Sequence, residues 1–146
     1  ASGANTISGF SAADSLDFSA FATDNTFAVT GEVADGSTGD IATTAVANSG
    51  IVDNSVLLVL DADGNLADTP AAIAGLFDDA TNGGEAFESV DANADVVVIV
   101  RDTTNNETQI WYVDNDGTPV VANSEVVLVG TLTGFSTAFV DLNITD

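Results

Sequence analysis

Twice in this chain an apolar run ends in two carboxylates set one residue apart. Leu57, Leu58, Val59 and Leu60 lead into Asp61-Ala62-Asp63-Gly64-Asn65, and Ile110, Trp111, Tyr112 and Val113 lead into Asp114-Asn115-Asp116-Gly117-Thr118. Two carboxylates so spaced at a strand end can converge on a calcium ion. Asn or Thr oxygens and backbone carbonyls then complete a shell of roughly six to eight ligands. The candidate metal ligands are therefore Asp61, Asp63, Asn65, Asp114, Asp116 and Thr118. The same D-x-D-G pattern also serves an ion-free reversal, because Asp and Asn accept turn conformations and Gly supplies positive φ. An EF-hand can be tested directly. A loop starting at Asp114 puts Glu125 at the twelfth position, where a bidentate ligand belongs, but the sixth is Pro119 instead of Gly and the flanks read as strands. Any calcium here is bound in another manner.

The rest of the inventory narrows the chemistry further. The 146 residues include 23 acids and a single base, Arg101, with no Lys, His, Cys or Met, for a net charge of -22. Such a charge repels phosphate backbones and anionic headgroups, so nucleic-acid and membrane-surface partners are not expected. Thiolate and imidazole metal sites, Schiff bases and His- or Lys-activated nucleophiles have no residues to build them. A carboxylate pair is the one catalytic apparatus left. No sequence feature selects one carboxyl as a raised-pKa acid, so no enzyme activity and no catalytic residue is expected. Trp111, Tyr112 and Phe135 can stack on sugar rings or pack a core. Asn106-Glu107-Thr108 and Asn143-Ile144-Thr145 match the glycosylation sequon.

The elements that position these residues are mostly strands. With 45% hydrophobic residues gathered in runs, the chain should fold, as one domain over residues 1–146. Phe27, Val29 and Val33, and again Val140, Leu142 and Ile144, alternate with small or polar residues as half-buried outer strands do. Val56–Leu60 and Val96–Val100 are uninterrupted apolar runs, the mark of central strands covered on both faces. Asp95–Asp102 and Thr108–Val113 flank Thr103-Thr104-Asn105-Asn106 as a hairpin. One helix is expected at about 69–80, with Asp68 or Thr69 as its cap, Pro70 in its first turn and an apolar stripe of Ala72, Ile73, Leu76 and Phe77. The fold class expected is mostly β, an antiparallel β-sandwich or curled β-sheet with that one short helix. No run approaches the roughly 20 apolar residues that cross a bilayer, so no membrane insertion is expected. Starting at Ala1 with no signal-peptide pattern, the chain reads as a processed form or a fragment.

Both ends of the chain resemble a known pattern. Asn5-Thr6-Ile7-Ser8-Gly9-Phe10, followed by Asp14-Ser15-Leu16-Asp17-Phe18-Ser19-Ala20-Phe21, is similar to the segment that follows the glycine-rich repeats of RTX proteins, the bacterial type I secretion substrates. Ile110-Trp111-Tyr112-Val113-Asp114-Asn115-Asp116-Gly117-Thr118, then Val129-Gly130-Thr131-Leu132-Thr133-Gly134-Phe135, resembles that family's terminal element. The resemblance implies a β-rich terminal module that is exported by the type I secretion machinery and folds outside the cell when calcium becomes available. Two departures limit it: the nonapeptide repeats of the calcium-binding β-roll are absent, and the Lys usual in the first motif is Ser15.

If the chain is the whole mature protein, it must itself be the secreted cargo. The reading that follows is an extracellular or cell-surface structural subunit that forms a homo-oligomer or polymer, a filament or surface layer, through strand addition at open sheet edges. The segments near Ala1–Phe10 and Phe139–Asp146 are the candidates for exchange between subunits. Calcium or high salt is expected to be needed, because the net charge opposes close packing. The alternatives are a non-catalytic secretion and folding module of a larger protein, and a carbohydrate-binding β-sandwich.

Overall fold

A strand with alternating apolar residues buries one face, whereas an unbroken β-branched run buries both. Val96–Val100 is the second kind, and the sheet is arranged around it. The computed structural model of the chain describes residues 4–18, 33–35, 55–61, 69–77, 94–117, 121–137 and 143–145; at 33–35, 55, 56, 58, 60, 61 and 143–145 it describes the backbone. These residues form β1 (Asn5–Ser8), β2 (Ser15–Asp17), β3 (Val33–Asp35), β4 (Ser55–Asp61), α1 (Pro70–Ala74), β5 (Asp95–Asp102), β6 (Glu107–Asp114), a 3-10 turn at Asn123–Glu125, β7 (Val126–Thr133) and β8 (Asn143–Thr145). Six strands make one sheet in the order β1-β7-β6-β5-β4-β3, and β2 pairs with β8 in a separate ribbon.

Two apolar clusters lie on opposite faces of β5. Val96, Val98 and Val100 join Leu57, Val59, Trp111, Val113, the helix residue Ile73, and Leu76 and Phe77 just after the helix. Val97 and Ile99 join Ile110, Leu132 and Phe135, with Phe10, Leu16, Phe18 and Tyr112 packed against them. Each fully buried Val or Ile of this kind stabilises by roughly 1.5–3 kcal/mol relative to exposure. The expected interior strands are therefore interior: β4 lies between β3 and β5, and β5 between β4 and β6. The expected hairpin also forms. Its loop is Thr103–Asn106, and Asn106 adopts φ 54, a left-handed conformation that Asn tolerates better than most side chains.

Strand direction differs from the expectation. The mostly β class with one short helix holds, but the sheet is mixed instead of antiparallel. β5-β6 and β6-β7 are antiparallel, while β4-β5, β3-β4 and β1-β7 are parallel, as is the β2-β8 ribbon. For β4 and β5 the physical reason is the connection between them, which is long enough for a crossover and includes α1, packed on one face of the sheet.

The helix is shorter than about 69–80. Thr69, not Asp68, caps it, its Oγ1 accepting from Ala72 N at 3.2 Å, and Pro70 supplies the first turn. After Ala74 the bonding tightens to i→i−3, with Leu76 N donating to Ile73 O and Phe77 N to Ala74 O, each at 3.1 Å. Gly75 favours this tightening, since glycine gains least from a further α-helical turn. Of the expected stripe Ile73, Leu76 and Phe77 are buried and Ala72 is half-buried, so α1 is a packing helix over the sheet. Of the expected outer strands, Val33 lies in edge strand β3 and Ile144 in β8; Phe27, Val29, Val140 and Leu142 lie outside the described residues.

Candidate functional site

The two D-x-D-G motifs follow parallel and antiparallel neighbours of β5, and this sends them to opposite ends of the sheet. Asp61 closes β4 in register with Asp102, the last residue of β5, whereas Asp114 closes β6 in register with Asp95, the first. At about 3.3 Å per residue those ends are roughly 23 Å apart. No single ion can be shared between Asp61 and Asp114.

At the Asp61 end, the register lines up Asp35, Asp61, Asp102 and Glu107 across four neighbouring strands. Carboxylates at directly opposed positions repel unless each finds a donor. Two of the four have visible donors. Asp102 is buried, and it accepts from Asn105 N at 2.8 Å and from Asn105 Nδ2, which closes the hairpin loop. Glu107 Oε1 accepts from Gln109 Nε2 at 2.9 Å. Asp63 and Asn65 lie outside the described residues.

At the other end, Asp114 and Asp116 are exposed, and Thr118 lies outside the described residues. Gly117 turns the chain with φ 100. Asn115 is buried and its N–H donates to Ala94 O at 3.2 Å, tying the loop to the start of β5. The loop is closed by Glu125. Its Oε1 accepts from Asp116 N at 3.0 Å and its Oε2 accepts from Ala122 N. Burial pushes the Glu125 carboxyl upward, but the amide bonds from Ala122 and Asp116, with a side-chain hydrogen bond from Asp116, hold the group below its ordinary value. Both oxygens of Glu125 are thus engaged by backbone amides of this loop. Among the described residues no group of three or more His, Cys, Asp or Glu is gathered to hold a metal ion.

The other candidates are spent on packing and folding. Trp111 and Phe135 are core residues, and Tyr112 is half-buried. Trp111 Nε1 donates to Gln109 Oε1 at 2.9 Å, so Glu107, Gln109 and Trp111 form a chain of bonds along one face of β6. Thr108 of the first sequon is buried and donates to Phe135 O at 2.9 Å. Arg101, the only base, donates from Nη1 to Ser136 O at 3.1 Å and helps hold the segment after β7 against the hairpin.

Sequence reasoning did not single out the seam between β1 and β7. There Asn5, Thr6, Ile7 and Ser8 pair in parallel with Gly130, Thr131, Leu132 and Thr133. The signal available was Gly130 itself, since glycine inside an otherwise apolar strand marks a bulge or a close backbone approach. Both occur. The β6-β7 register shifts between Ile110 and Trp111, and a Cβ at Gly130 would stand 3.2 Å from Asn5 O. All four residues of β1 are exposed at the sheet edge. No helix among the described residues is long and apolar enough to cross a membrane. Compared with known proteins, the chain matches no family model, no curated protein and no solved structure.

Proposed function

We propose that this chain is a non-catalytic extracellular structural subunit that assembles with copies of itself through β-strand contacts, into a filament or surface layer, with calcium or other cations neutralising its surface. The observation that carries the reading is the edge of the six-stranded sheet at β1. Its four residues are exposed and include no charge, Lys or Pro, the devices by which soluble proteins guard a sheet edge against pairing with another chain. The large charge elsewhere makes the contact conditional. At -22, two copies repel until cations screen or bind their carboxylates, and calcium held loosely at the exposed carboxylates Asp114 and Asp116 would lower that repulsion. Export by the type I secretion machinery is part of the proposal and rests on the RTX-like segments at the two ends of the chain.

Sedimentation velocity at fixed ionic strength, with calcium or with chelator, tests it. The expected result is a large species in calcium that dissociates in chelator. A single monomer under both conditions overturns the subunit reading in favour of a secretion and folding module of a larger protein. Polymers that persist in low-salt chelator overturn the cation requirement.

A further inference from the structure

We infer that β1 is an exchangeable strand: in the assembled state, Asn5–Ser8 of one copy of this chain lies beside β7 of a second copy, in the parallel register it adopts within a single copy. This rests on the self-assembly reading and names the segment and the acceptor that perform it.

The strand is loosely attached. All of β1 is exposed, Ile7 by 44%, so detaching it uncovers little apolar surface. Beyond the ladder, one side-chain bond holds it among those described, Thr133 Oγ1 donating to Ile7 O at a long 3.4 Å. The acceptor, by contrast, is firmly built. β7 keeps its other edge on β6 and buries Leu132 completely. Gly130 then leaves a slot in which a neighbouring backbone comes close at Asn5 O, and a side chain there would obstruct it.

A hinge stands between the loose strand and the rest of the fold. Gly9 follows β1 directly, has φ +78 and has open space where a Cβ would be. Past it the chain is anchored at once. Phe10 packs edge-on against Phe135 with ring centroids 5.1 Å apart. The next turn is closed by Asp14 Oδ2, which accepts from Ser11 N at 2.8 Å and Ser11 Oγ at 2.9 Å. Rotation at Gly9 can therefore move β1 without disturbing the second core cluster.

Charge selects the same seam. β2 through β6 each contain at least one acid, Asp17, Asp35, Asp61, Asp95 and Glu107 among them, whereas β1 and β7 contain no ionisable residue. In so acidic a molecule this is a place where a second copy's strand can approach without meeting a carboxylate on either strand. The occupant is a second copy because the exchanged strand remakes every seam contact with an identical sequence. Since each copy gives one strand and receives one, the contact is head-to-tail and, where it does not close into a ring, grows into a fibre.

The chain has no cysteine, so thiols can be placed at will. Thr6 and Thr131 are register partners. Thr6→Cys and Thr131→Cys, made as separate single variants, are mixed under assembling conditions and treated with a short thiol-specific crosslinker, and linked peptides are identified by mass spectrometry. The expected result is a link between positions 6 and 131 joining two chains, together with a ladder of covalent multimers when both substitutions are in one chain. If sedimentation of the same samples shows assembly but the double variant closes only within single chains and the mixture yields no such link, exchange is overturned while self-assembly stands. If no sample sediments as an assembly, self-assembly fails and exchange with it. Gly130→Val gives a second readout. It is expected to keep the native Trp111 fluorescence and lose assembly; a folded variant that still assembles overturns the slot, and if it does not fold the 6-to-131 link decides.

Discussion

Glu125 shows how a residue can be legible in position while its partners are not. Counted from Asp114 it falls at the twelfth place of a calcium loop, yet both of its oxygens accept from backbone amides, of Asp116 and Ala122. The local signal was the spacing to Ala122, a Glu reaching back three residues at the start of a 3-10 turn; the bond to Asp116 is nine residues distant and invisible to pattern. Glu125→Gln leaves one acceptor oxygen for two amides and is expected to cost about 1–2 kcal/mol in denaturant unfolding. The sign with pH follows from the lowered carboxyl. Its stabilisation is fully present above the ordinary value of 4.5 and is lost as pH falls through the lower folded value. The gap between wild type and variant should therefore be constant at neutral pH and close in acid. A gap that exists only when calcium is added would instead make Glu125 a metal ligand.

Among the elements, those specified by neighbouring residues were readable and those specified by distant partners were not. The hairpin Asp95–Asp114 came from two apolar runs around a polar tetrapeptide, and the interior place of β4 and β5 came from their unbroken apolar stretches. Strand direction did not come with them, because an apolar run is the same read either way; only the capped helix between β4 and β5 hinted at a crossover. The candidate site was half legible for the same reason. D-x-D-G marked the ends of two strands, but the register that sends those ends to opposite sides of the sheet depends on pairings no local pattern encodes. α1 is the element most dependent on its cap, being five residues long. Thr69→Ala is expected to lower stability by about 1 kcal/mol and Thr69→Ser by a few tenths, measured by urea unfolding followed at the sole tryptophan, Trp111. Equal losses in both variants would mean that the hydroxyl does not cap the helix.

For the whole molecule, charge is the largest adjustable term. Self-repulsion at -22 destabilises any compact state, and added salt relieves it as the Debye length falls from about 30 Å at 0.01 M to about 3 Å at 1 M. The thermal midpoint of the monomer should therefore climb steeply over that range of sodium chloride. A flat response would show that the acids are already neutralised, by bound cations or by one another's hydrogen bonds, and would remove the reason for cation-dependent assembly.

The pairing of β1 with β7 also sets a clock. Ile7 and Thr133 meet across 126 positions of chain, so their contact closes one of the longest loops in the molecule. Contacts of such separation form late, after the β5-β6 hairpin and its neighbour β7 have assembled from nearby segments. A refolding chain thus passes through an interval in which β7 is built and its outer edge is bare. During that interval its own first strand and that of any chain beside it compete for one vacancy, and the winner is decided by concentration: dilute chains close on themselves, crowded ones on each other.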